Sequence, residues 1–356
     1  MKKIYYFFFL LLCFLSVQAQ QTKILTAEKH NEYGLVYTLP VTAFNVEVVA
    51  VKETKLAGPF NKYSKVFTSD AKIISEDAVD WTIESVKVTP YGIPDTENRY
   101  LMQLKAGATT YIGVADDGML LSINKEPMPV KTDVLSVSEI EGTPATGKEY
   151  LEFVNEDFIS AISSYKKAQL LAEEIMEVRD AKLSLTRGTA ETMPTDGRQL
   201  EIMLESLEKQ EKALVNAFSG SSWKERVVRT FSFVPENEGK SVLCRLNSSQ
   251  GVVDASDLSG KPLYVSVKVT EAAELPVDSK GEEKKLPKDA VMYCIPGFAD
   301  LTFSFDGSEI YQGSYPMSQF GMIFGLNPAI FTDKKEPSFA IFDPSTGALK
   351  ELGVIK

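Results

Sequence analysis

The sequence contains a single histidine, His30, and only three cysteines among its 356 residues. Ser-His-Asp and Cys-His catalysis both need an imidazole, so His30 itself would have to supply it. His30 lies near the expected mature N-terminus in a polar stretch, where a mobile surface position is typical. Zinc sites use His and Cys at short spacing, whereas these residues are scattered along the chain. We therefore expect no metal centre and no cofactor.

Basic residues are also in short supply. The chain has 38 Lys and Arg against 49 Asp and Glu, which gives a formal net charge of −11. Nucleic-acid binding depends on clustered basic residues that neutralise phosphates, so we expect no nucleic-acid partner. Long apolar runs are missing after the N-terminus, because Gly321, Gly325 and Pro328 interrupt the stretch 320–331. The mature chain is therefore expected not to span a membrane.

What the chain does have is a charged and apolar N-terminus. Lys2 and Lys3 precede an apolar run over residues 4–15, and Ser16-Val17-Gln18-Ala19 supplies small residues before a cleavage site. This order is typical of a secretory signal peptide, here residues 1–19. The run is also shorter than the roughly 20 apolar residues that cross a bilayer. We expect an exported protein that is periplasmic, at the cell surface or secreted.

A lipoprotein leader is the alternative, because Cys13 lies inside the apolar run. Bulky leucines precede Cys13, however, where a lipidation site needs a small residue. We therefore expect cleavage after Ala19 and a mature chain that begins near Gln20 and carries no lipid.

Two cysteines, Cys244 and Cys294, remain in the mature chain. Cys244 alternates with Val242 and Leu246 on one face of a predicted strand, which fits a buried free thiol. An oxidising compartment makes a disulfide equally consistent with the sequence. Neither alternative favours a nucleophile, because Arg245 is the only basic neighbour.

Alternating apolar residues predict a half-buried strand over residues 34–52. One face carries Phe44, Val46, Val48 and Ala50. Pro40 belongs at an edge or a kink. Residues 82–88 and 99–104 continue the β pattern, and a turn rich in proline and glycine is expected between them.

Turn residues predict antiparallel hairpins near both ends of the chain. Asp117-Gly118 suits a two-residue type I′ turn that pairs Ile112 with Ile123 and Val114 with Leu121. Asp306-Gly307 suits a second such turn. It would bring Leu301, Phe303 and Phe305 opposite Ser308, Ile310 and Gln312. In residues 342–349, Pro344 suits the first corner of a type I turn and Gly347 the left-handed residue that closes it.

The middle of the chain changes to a helical period. Residues 150–185 contain neither Gly nor Pro. Their apolar stripe consists of Phe158, Ile162, Tyr165, Ala168, Ala172 and Ile175. A second helix is predicted over residues 198–218, with Thr195 or Asp196 as N-cap and Gly220 at its end. Because Ile162 lies on the stripe, Ile162→Asp is expected to cost several kcal/mol of stability.

These patterns predict an α+β fold in which two antiparallel β-rich regions flank a long antiparallel helical hairpin. The expected divisions are the signal peptide at 1–19, an N-terminal β-rich region at 20–148, the helical hairpin at 149–220 and a C-terminal β-rich region at 221–356.

Carboxylates are the one catalytic chemistry left. Three groups, Asp116/Asp117, Asp254/Asp257 and Glu76/Asp77/Asp80, could act as acid and base in glycoside hydrolysis or bind calcium. Turn or surface positions explain each of them better, and none has the spacing of a calcium loop. We therefore assign no catalytic, cofactor-binding or metal-ligating residue.

The two tryptophans and one triplet are the remaining candidates for binding or modification. Trp81 and Trp223 could stack against sugars, although aromatic residues in strand-like segments more often belong to a core. Asn247-Ser248-Ser249 matches a glycosylation triplet and equally fits a turn.

Several longer stretches resemble a known family. They are Tyr33-Gly34-Leu35-Val36-Tyr37-Thr38-Leu39-Pro40 leading into the strand 44–53, Gly58-Pro59-Phe60-Asn61-Lys62-Tyr63, Tyr293-Cys294-Ile295-Pro296-Gly297, Ser318-Gln319-Phe320-Gly321, and Phe342-Asp343-Pro344-Ser345-Thr346-Gly347-Ala348-Leu349. Together they resemble the domain of unknown function 4831 family, exported bacterial proteins of the Bacteroidetes type. The resemblance covers nearly the whole mature chain and implies export and a shared full-length fold. It implies no activity and no site residue.

For function, we expect an exported envelope protein with a non-enzymatic binding or structural role. Its partner would be another envelope protein or a glycan, bound through sheet edges or the helical hairpin. The alternative is a carboxylate-dependent hydrolase acting on an extracellular polymer such as a glycan. Two opposed carboxyls in a cleft would favour the hydrolase.

Overall fold

The structure is a computed structural model that describes residues 21–24, 34–68, 72–103, 111–127, 138–333 and 335–355. The predicted signal peptide, Cys13 and His30 lie outside these residues. The strands are β1 Gln21–Ile24, β2 Leu35–Leu56, β3 Ala78–Gln103, β4 Ile112–Val114, β5 Leu120–Ile123, β6 Glu139–Glu141, β7 Ser221–Phe233, β8 Gly239–Asn247, β9 Gly251–Asp254, β10 Lys261–Glu271, β11 Val291–Phe305, β12 Ser308–Leu326, β13 Ser338–Phe342 and β14 Leu349–Val354. The helices are α1 Ser64–Phe67, α2 Glu156–Ser160, α3 Ser164–Arg187 and α4 Gly197–Ser219, with short 3₁₀ helices at Asn61–Tyr63, Glu149–Phe153 and Pro328–Phe331.

The fold is mixed α and β with antiparallel sheets, as the sequence predicted, and the sheets are three in number among the described residues. Sheet 1 has the strand order β1-β3-β2-β7-β6, sheet 2 has β12-β11-β10-β8-β9, and sheet 3 has β14-β13-β5-β4. Sheet 1 packs face to face on sheet 2, and the apolar side chains between them form one core. A second core lies between sheet 3 and the neighbouring ends of sheets 1 and 2.

The strand predicted at 34–52 is confirmed as part of β2, the central strand of sheet 1. Its predicted apolar face, from Phe44 to Ala50, is fully buried against sheet 2. We call this the inner face of sheet 1. Pro40 lies at a register shift between β2 and β3, which is the kink that the proline predicted.

The turn expected between residues 82–88 and 99–104 is wrong. β3 runs through this region without a break, paired with β2 from Lys55 opposite Ala78 to Leu35 opposite Met102. Pro94 lies opposite Pro40 at the register shift, so the two residues that lack an N–H meet where the ladder is already irregular. Pairing with β2 therefore overrides the local preference of this segment for a turn.

The sheets combine strands from both sides of the helical segment. β7 follows the helices and pairs along β2 from Phe44 to Leu56. In sheet 3, β13 pairs with β5 through Ala340 opposite Ile123. The ranges 20–148 and 221–356 therefore share two of the three sheets.

The Asp117-Gly118 hairpin forms, but with a different turn. Ile112 faces Ile123 as predicted, whereas Val114 faces Leu120 and not Leu121. Of the two turn residues, Gly118 has a positive φ of 93° and Asp117 does not. Gly118 N donates to Ala115 O at 2.9 Å. Because Asp117 does not adopt the left-handed conformation that a type I′ turn needs, the loop closes one residue earlier with a bulge.

The other two hairpins agree more closely with the sequence. Asp306 and Gly307 both have positive φ, 50° and 82°, as a type I′ turn requires, and Phe305 faces Ser308. A bulge then places Phe303 opposite Tyr311, which corrects the predicted pairing with Ile310. In the last hairpin, Gly347 has φ 70° and donates to Asp343 O at 2.8 Å, as predicted.

The first predicted helix is broken into three pieces. Residues 150–185 contain the 3₁₀ helix Glu149–Phe153, α2 and most of α3. Asn155 caps α2 by accepting from Phe158 N at 3.0 Å, and Ser163 caps α3 by accepting from Lys166 N at 3.1 Å. Ile162 lies in the link between these helices and is fully exposed. The prediction that Ile162→Asp costs several kcal/mol of stability is therefore wrong.

The antiparallel pair is formed by α3 and α4, of 24 and 23 residues. Arg179 Nε lies 2.7 Å from Glu211 Oε1, and Lys182 Nζ lies 3.5 Å from Glu208 Oε1, so the helices run in opposite directions. Asp196 caps α4 and Gly220 ends it, as predicted. In the described ranges, no helix has both the length and the apolar character needed to cross a membrane.

Candidate functional site

A cleft of about 640 Å³ opens between β3 of sheet 1 and the turns of sheet 2. Trp81 and Phe305 supply aromatic surface, and Lys261 Nζ and Asp306 Oδ2 form an ion pair of 2.9 Å at its rim. The other lining residues are Val79, Asp80, Thr82, Ile83, Leu246, Ser248, Ser259, Ser308 and Ile310. Apolar surface with a few polar groups is the usual composition of a small-ligand site.

Trp81 is held in the cleft wall by its neighbours. Alternation along β3 places it on the inner face, where it packs against the core between sheets 1 and 2. Gly251 has φ +78°, and a Cβ there would lie 2.8 Å from the six-membered ring of Trp81. Glycine thus lets the β8–β9 turn approach the indole closely. The indole N–H is buried and has no hydrogen-bond partner among the described residues, which is uncommon for a native donor.

The hydroxyl of Ser259 at the cleft is positioned by Asp257. The Asp257 carboxylate accepts the Ser259 N–H at 3.0 Å and also its hydroxyl. These two bonds lower the pKa of Asp257. Asp257 N in turn donates to Asp254 O at 3.0 Å, so this predicted carboxylate pair builds a turn beside the cleft.

The glycosylation triplet is a turn. Asn247 is buried, and its Nδ2 donates to Ser259 Oγ at 2.7 Å. Its Oδ1 accepts from Ser249 N at 2.7 Å, which is the hydrogen bond of an Asx turn. A side-chain amide occupied in this way is not presented for glycosylation, so the structure favours the second of the two interpretations.

The outer face of sheet 1 carries charged side chains around a separate cavity of about 380 Å³. Arg226 donates to the two carboxylate oxygens of Glu84 at 2.7 and 2.8 Å, which lowers the pKa of that carboxyl. Lys55 Nζ lies 2.8 Å from Asp80 Oδ2 and 3.2 Å from Glu53 Oε2. The lowered pKa of Glu84 favours its ionised form, whereas a glycoside hydrolase needs one carboxyl protonated as its acid.

Two of the other predicted carboxylates, Asp77 and Asp117, have local structural roles. Asp77 Oδ1 accepts from Ala57 N at 2.7 Å and ties the segment before β3 to the end of β2. Asp117 Oδ1 accepts from Met119 N at 3.3 Å within its turn, beside Asp116. Within the described part of the chain, no group of three or more His, Cys, Asp or Glu is arranged to hold a metal ion.

The two cysteines are buried free thiols, which decides between the two alternatives. Cys244 lies in β8 within the core of sheets 1 and 2, and Cys294 lies in β11. Burial raises the pKa of each thiol to about 12. A thiol of this kind is a poor nucleophile at neutral pH.

The stretches that carry the family resemblance meet where the three sheets join. Thr42 N donates to Ser318 Oγ at 3.0 Å, and Thr42 Oγ1 donates to Ser345 O at 2.9 Å. Cys294 N donates to Gly347 O at 3.0 Å. The stretch 58–63 instead anchors the helices, because Phe60 N donates to Ala217 O at 2.9 Å. These motifs hold the fold together and do not line the cleft.

Sequence reasoning identified Trp81 and Asp80 but missed Phe305, Lys261 and Asp306 as parts of one site. Asp306 was visible only as a turn residue. The cleft brings β3 together with β10, β11 and β12 from a distant part of the chain, so no local pattern could have marked it.

Fold and site together define a protein of mixed α and β structure, with antiparallel sheets and a cleft lined by apolar and polar side chains. Residues 33–350 match the family model described as Domain of unknown function (DUF4831), and the chain belongs to that family. This confirms the resemblance found in the sequence. Comparison with curated proteins and with solved structures finds no significant match.

Proposed function

We propose that this protein is an exported, non-enzymatic glycan-binding protein of the cell envelope, and that the glycan binds in the cleft beside Trp81. The observation that carries the proposal is the cleft itself, which is lined by an indole, serine hydroxyls and the Lys261–Asp306 pair. A pyranose ring has an apolar C–H face that packs on the electron-rich face of an indole. Its hydroxyls both donate and accept hydrogen bonds, which matches hydroxyls, an ammonium and a carboxylate.

The charges support binding rather than hydrolysis. Asp306 Oδ2 lies 2.9 Å from Lys261 Nζ, and Asp80 Oδ2 lies 2.8 Å from Lys55 Nζ, so each carboxylate that lines the cleft is held in an ion pair. A glycoside hydrolase needs a carboxyl that protonates the leaving sugar, whereas both carboxylates of the cleft are held in ion pairs.

Export is the second part of the proposal, and the N-terminal residues support it. We expect the exported form to begin near Gln20 and to carry no lipid. Intact mass and N-terminal sequencing of protein recovered from the native envelope test this. A diacylglyceryl group on Cys13 would overturn both the cleavage site and the lipid-free form.

Binding is tested by calorimetry of the purified mature chain with neutral gluco-, xylo-, manno- and chito-oligosaccharides. We expect saturable binding of at least one series, weakened by Lys261→Ala and by Trp81→Phe. Lys261 is 65% exposed, so its replacement leaves the fold intact. Lys209→Ala is the matched control, because Lys209 is an exposed, ion-paired lysine on α4.

Failure of every series to bind, or binding that both cleft variants leave unchanged, contradicts the proposal. A reducing-sugar assay on the same samples covers the hydrolase alternative. Turnover that is abolished when one Asp or Glu becomes its amide would replace binding with hydrolysis.

A further inference from the structure

Both tryptophans of the chain lie on the inner face of sheet 1. The register places Trp81 on β3 opposite Lys52 on β2, and Lys52 opposite Glu225 on β7. One row further along, Val79 faces Thr54, which faces Trp223. Side chains two residues apart on a strand share a face, so these six residues form one surface. We call it the tryptophan face.

The tryptophan face is the part of sheet 1 that sheet 2 leaves partly open. Phe44 to Ala50 of β2 are fully buried, whereas the next inward residue, Lys52, is 35% exposed and Val79 is 43% exposed. Trp81 and Trp223 are both half-buried. Trp81 also lines the cleft, so the face continues from the cleft across the central strand.

The geometry points to a binding site for an extended, neutral glycan chain that runs from the Trp81 cleft across β2 to Trp223. This inference rests on the proposed function and extends it from a cleft to a chain-length-dependent site. Strand spacing and a two-residue offset put the two tryptophan Cα atoms about 12 Å apart, about two sugar repeats, so a disaccharide reaches one indole and a longer chain reaches both. Each indole would then stack on a different sugar unit.

The charges between the tryptophans favour an uncharged ligand. Lys52 Nζ lies 3.8 Å from Glu225 Oε2, and both side chains are about one-third exposed. At the cleft, Lys261 pairs with Asp306 and Lys55 pairs with Asp80, so each of these three carboxylates has a cationic partner. An ammonium beside a carboxylate offers donors and an acceptor to sugar hydroxyls, and it gives no net attraction for an acidic or basic polymer.

A peptide fits this surface less well. An extended peptide that joins a sheet needs a strand edge with unpaired N–H and C=O groups. β2 pairs with β3 on one side and with β7 on the other along the whole tryptophan face. The other edge of β3 beside Trp81 is unpaired in the described residues, but a peptide added there would run along β3 and would not cross β2 to Trp223. Recognition across β2 therefore comes from side chains, and flat indoles flanking a polar pair suit pyranose rings.

The chain has only two tryptophans, so intrinsic fluorescence can follow each one separately. In the Trp223→Phe variant, tryptophan emission comes only from Trp81. In the Trp81→Phe variant, it comes only from Trp223. The probes are gluco-, xylo-, manno- and chito-oligosaccharides from disaccharide to hexasaccharide. We expect a disaccharide to change Trp81 emission only, and longer members of the bound series to change the emission of both.

Affinity measured by calorimetry should rise with chain length in the native protein. We expect Trp223→Ala to lower affinity for the longest oligosaccharide by about tenfold, equivalent to about 1.4 kcal/mol, and to leave disaccharide affinity unchanged. Glu225→Gln keeps the shape of the side chain and should show the same selective loss of affinity for long oligosaccharides. It replaces Trp223→Ala in this test if that variant does not fold. Glu309→Gln is the control, because Glu309 is exposed on β12 outside the site.

The outcomes separate the two proposals. If no probe binds, the proposed function fails and this inference fails with it. Probes that bind and change Trp81 emission without changing Trp223 emission, and whose affinity does not rise with chain length, overturn only the extended site. If no oligosaccharide binds and an envelope protein is captured only when Trp223 is present, the ligand is not a glycan and the tryptophan face is a protein-binding surface.

Discussion

Gln319 joins sheets 1 and 2 through its side-chain amide. Its Nε2 donates to Thr42 O at 3.0 Å and to Pro235 O at 2.9 Å, and its Oε1 accepts from Thr42 N at 3.2 Å. Gln319→Glu removes both donors and turns a carboxylate toward two carbonyls. We expect this change to cost about 1–3 kcal/mol and to lower Tm, measured by thermal circular dichroism. Gln312→Glu, an exposed change of the same charge on β12, should leave Tm nearly unchanged.

The buried thiols should be inert in the folded protein. Because burial raises the pKa of Cys244 and Cys294 to about 12, almost no thiolate exists at pH 8. We expect a thiol reagent at pH 8 to label neither Cys244 nor Cys294 in the native protein and to label both after denaturation. Mass spectrometry counts the labels. Native labelling of either thiol, or a disulfide between them, would contradict this.

At the scale of single elements, periodic patterns predicted the strands and helices, and side-chain hydrogen bonds decided where they end. Asn155 and Ser163 were visible in the sequence, but as caps they outweigh the helical period of residues 150–185. Pairing partners were not visible. Lys52 and Glu225 meet only because β7, beyond both long helices, adds to β2, and no local signal specifies that pairing.

The corrected helix boundaries change a stability prediction. Ile175 on α3 is 2% exposed and packs in the core with Phe60 and Phe218, whereas Ile162 is fully exposed in a link. We expect Ile175→Asp to cost at least about 3 kcal/mol, as an unpaired buried charge does. Ile162→Asp serves as the matched control and should change stability by less than about 0.5 kcal/mol. Urea unfolding measures both, and equal effects would contradict the boundaries.

Acid should loosen the contact between α3 and α4. Hydrogen bonds from Arg179 and then Lys182 lower the pKa of Glu211. A carboxyl whose folded pKa is depressed stabilises the fold above its unfolded value of about 4.3, and this contribution is lost as pH falls through the lower folded value. We expect Glu211→Gln to cost about 1 kcal/mol or less at pH 7 and almost nothing near pH 2. Urea unfolding at several pH values tests this. Glu177→Gln, at an exposed site on α3, is the control.

At the scale of the whole molecule, the three sheets tie the two ends of the chain together. Sheet 1 contains β2 and β3 from before the helices and β7 from after them, and sheet 3 joins β4 and β5 to β13 and β14. The helical segment enters between β6 and β7, which pair as neighbours, with Glu141 opposite Lys224. It therefore interrupts a hairpin of sheet 1 and does not separate two independent sheets.

A cut between α3 and α4 should consequently leave the molecule assembled. The connector, residues 188–196, lies at the far end of the helix pair from the sheets, so a protease site placed there is accessible and touches no strand pairing. After cleavage, the two fragments remain joined by the β2–β7 and β5–β13 ladders and by the buried core of both helices. We expect them to elute together in size-exclusion chromatography and to separate only in denaturant. The same site placed in the 274–288 loop of sheet 2 is the control for the effect of a nick alone. Fragments that separate in native buffer after the connector is cut would show that the regions before and after the helices fold independently.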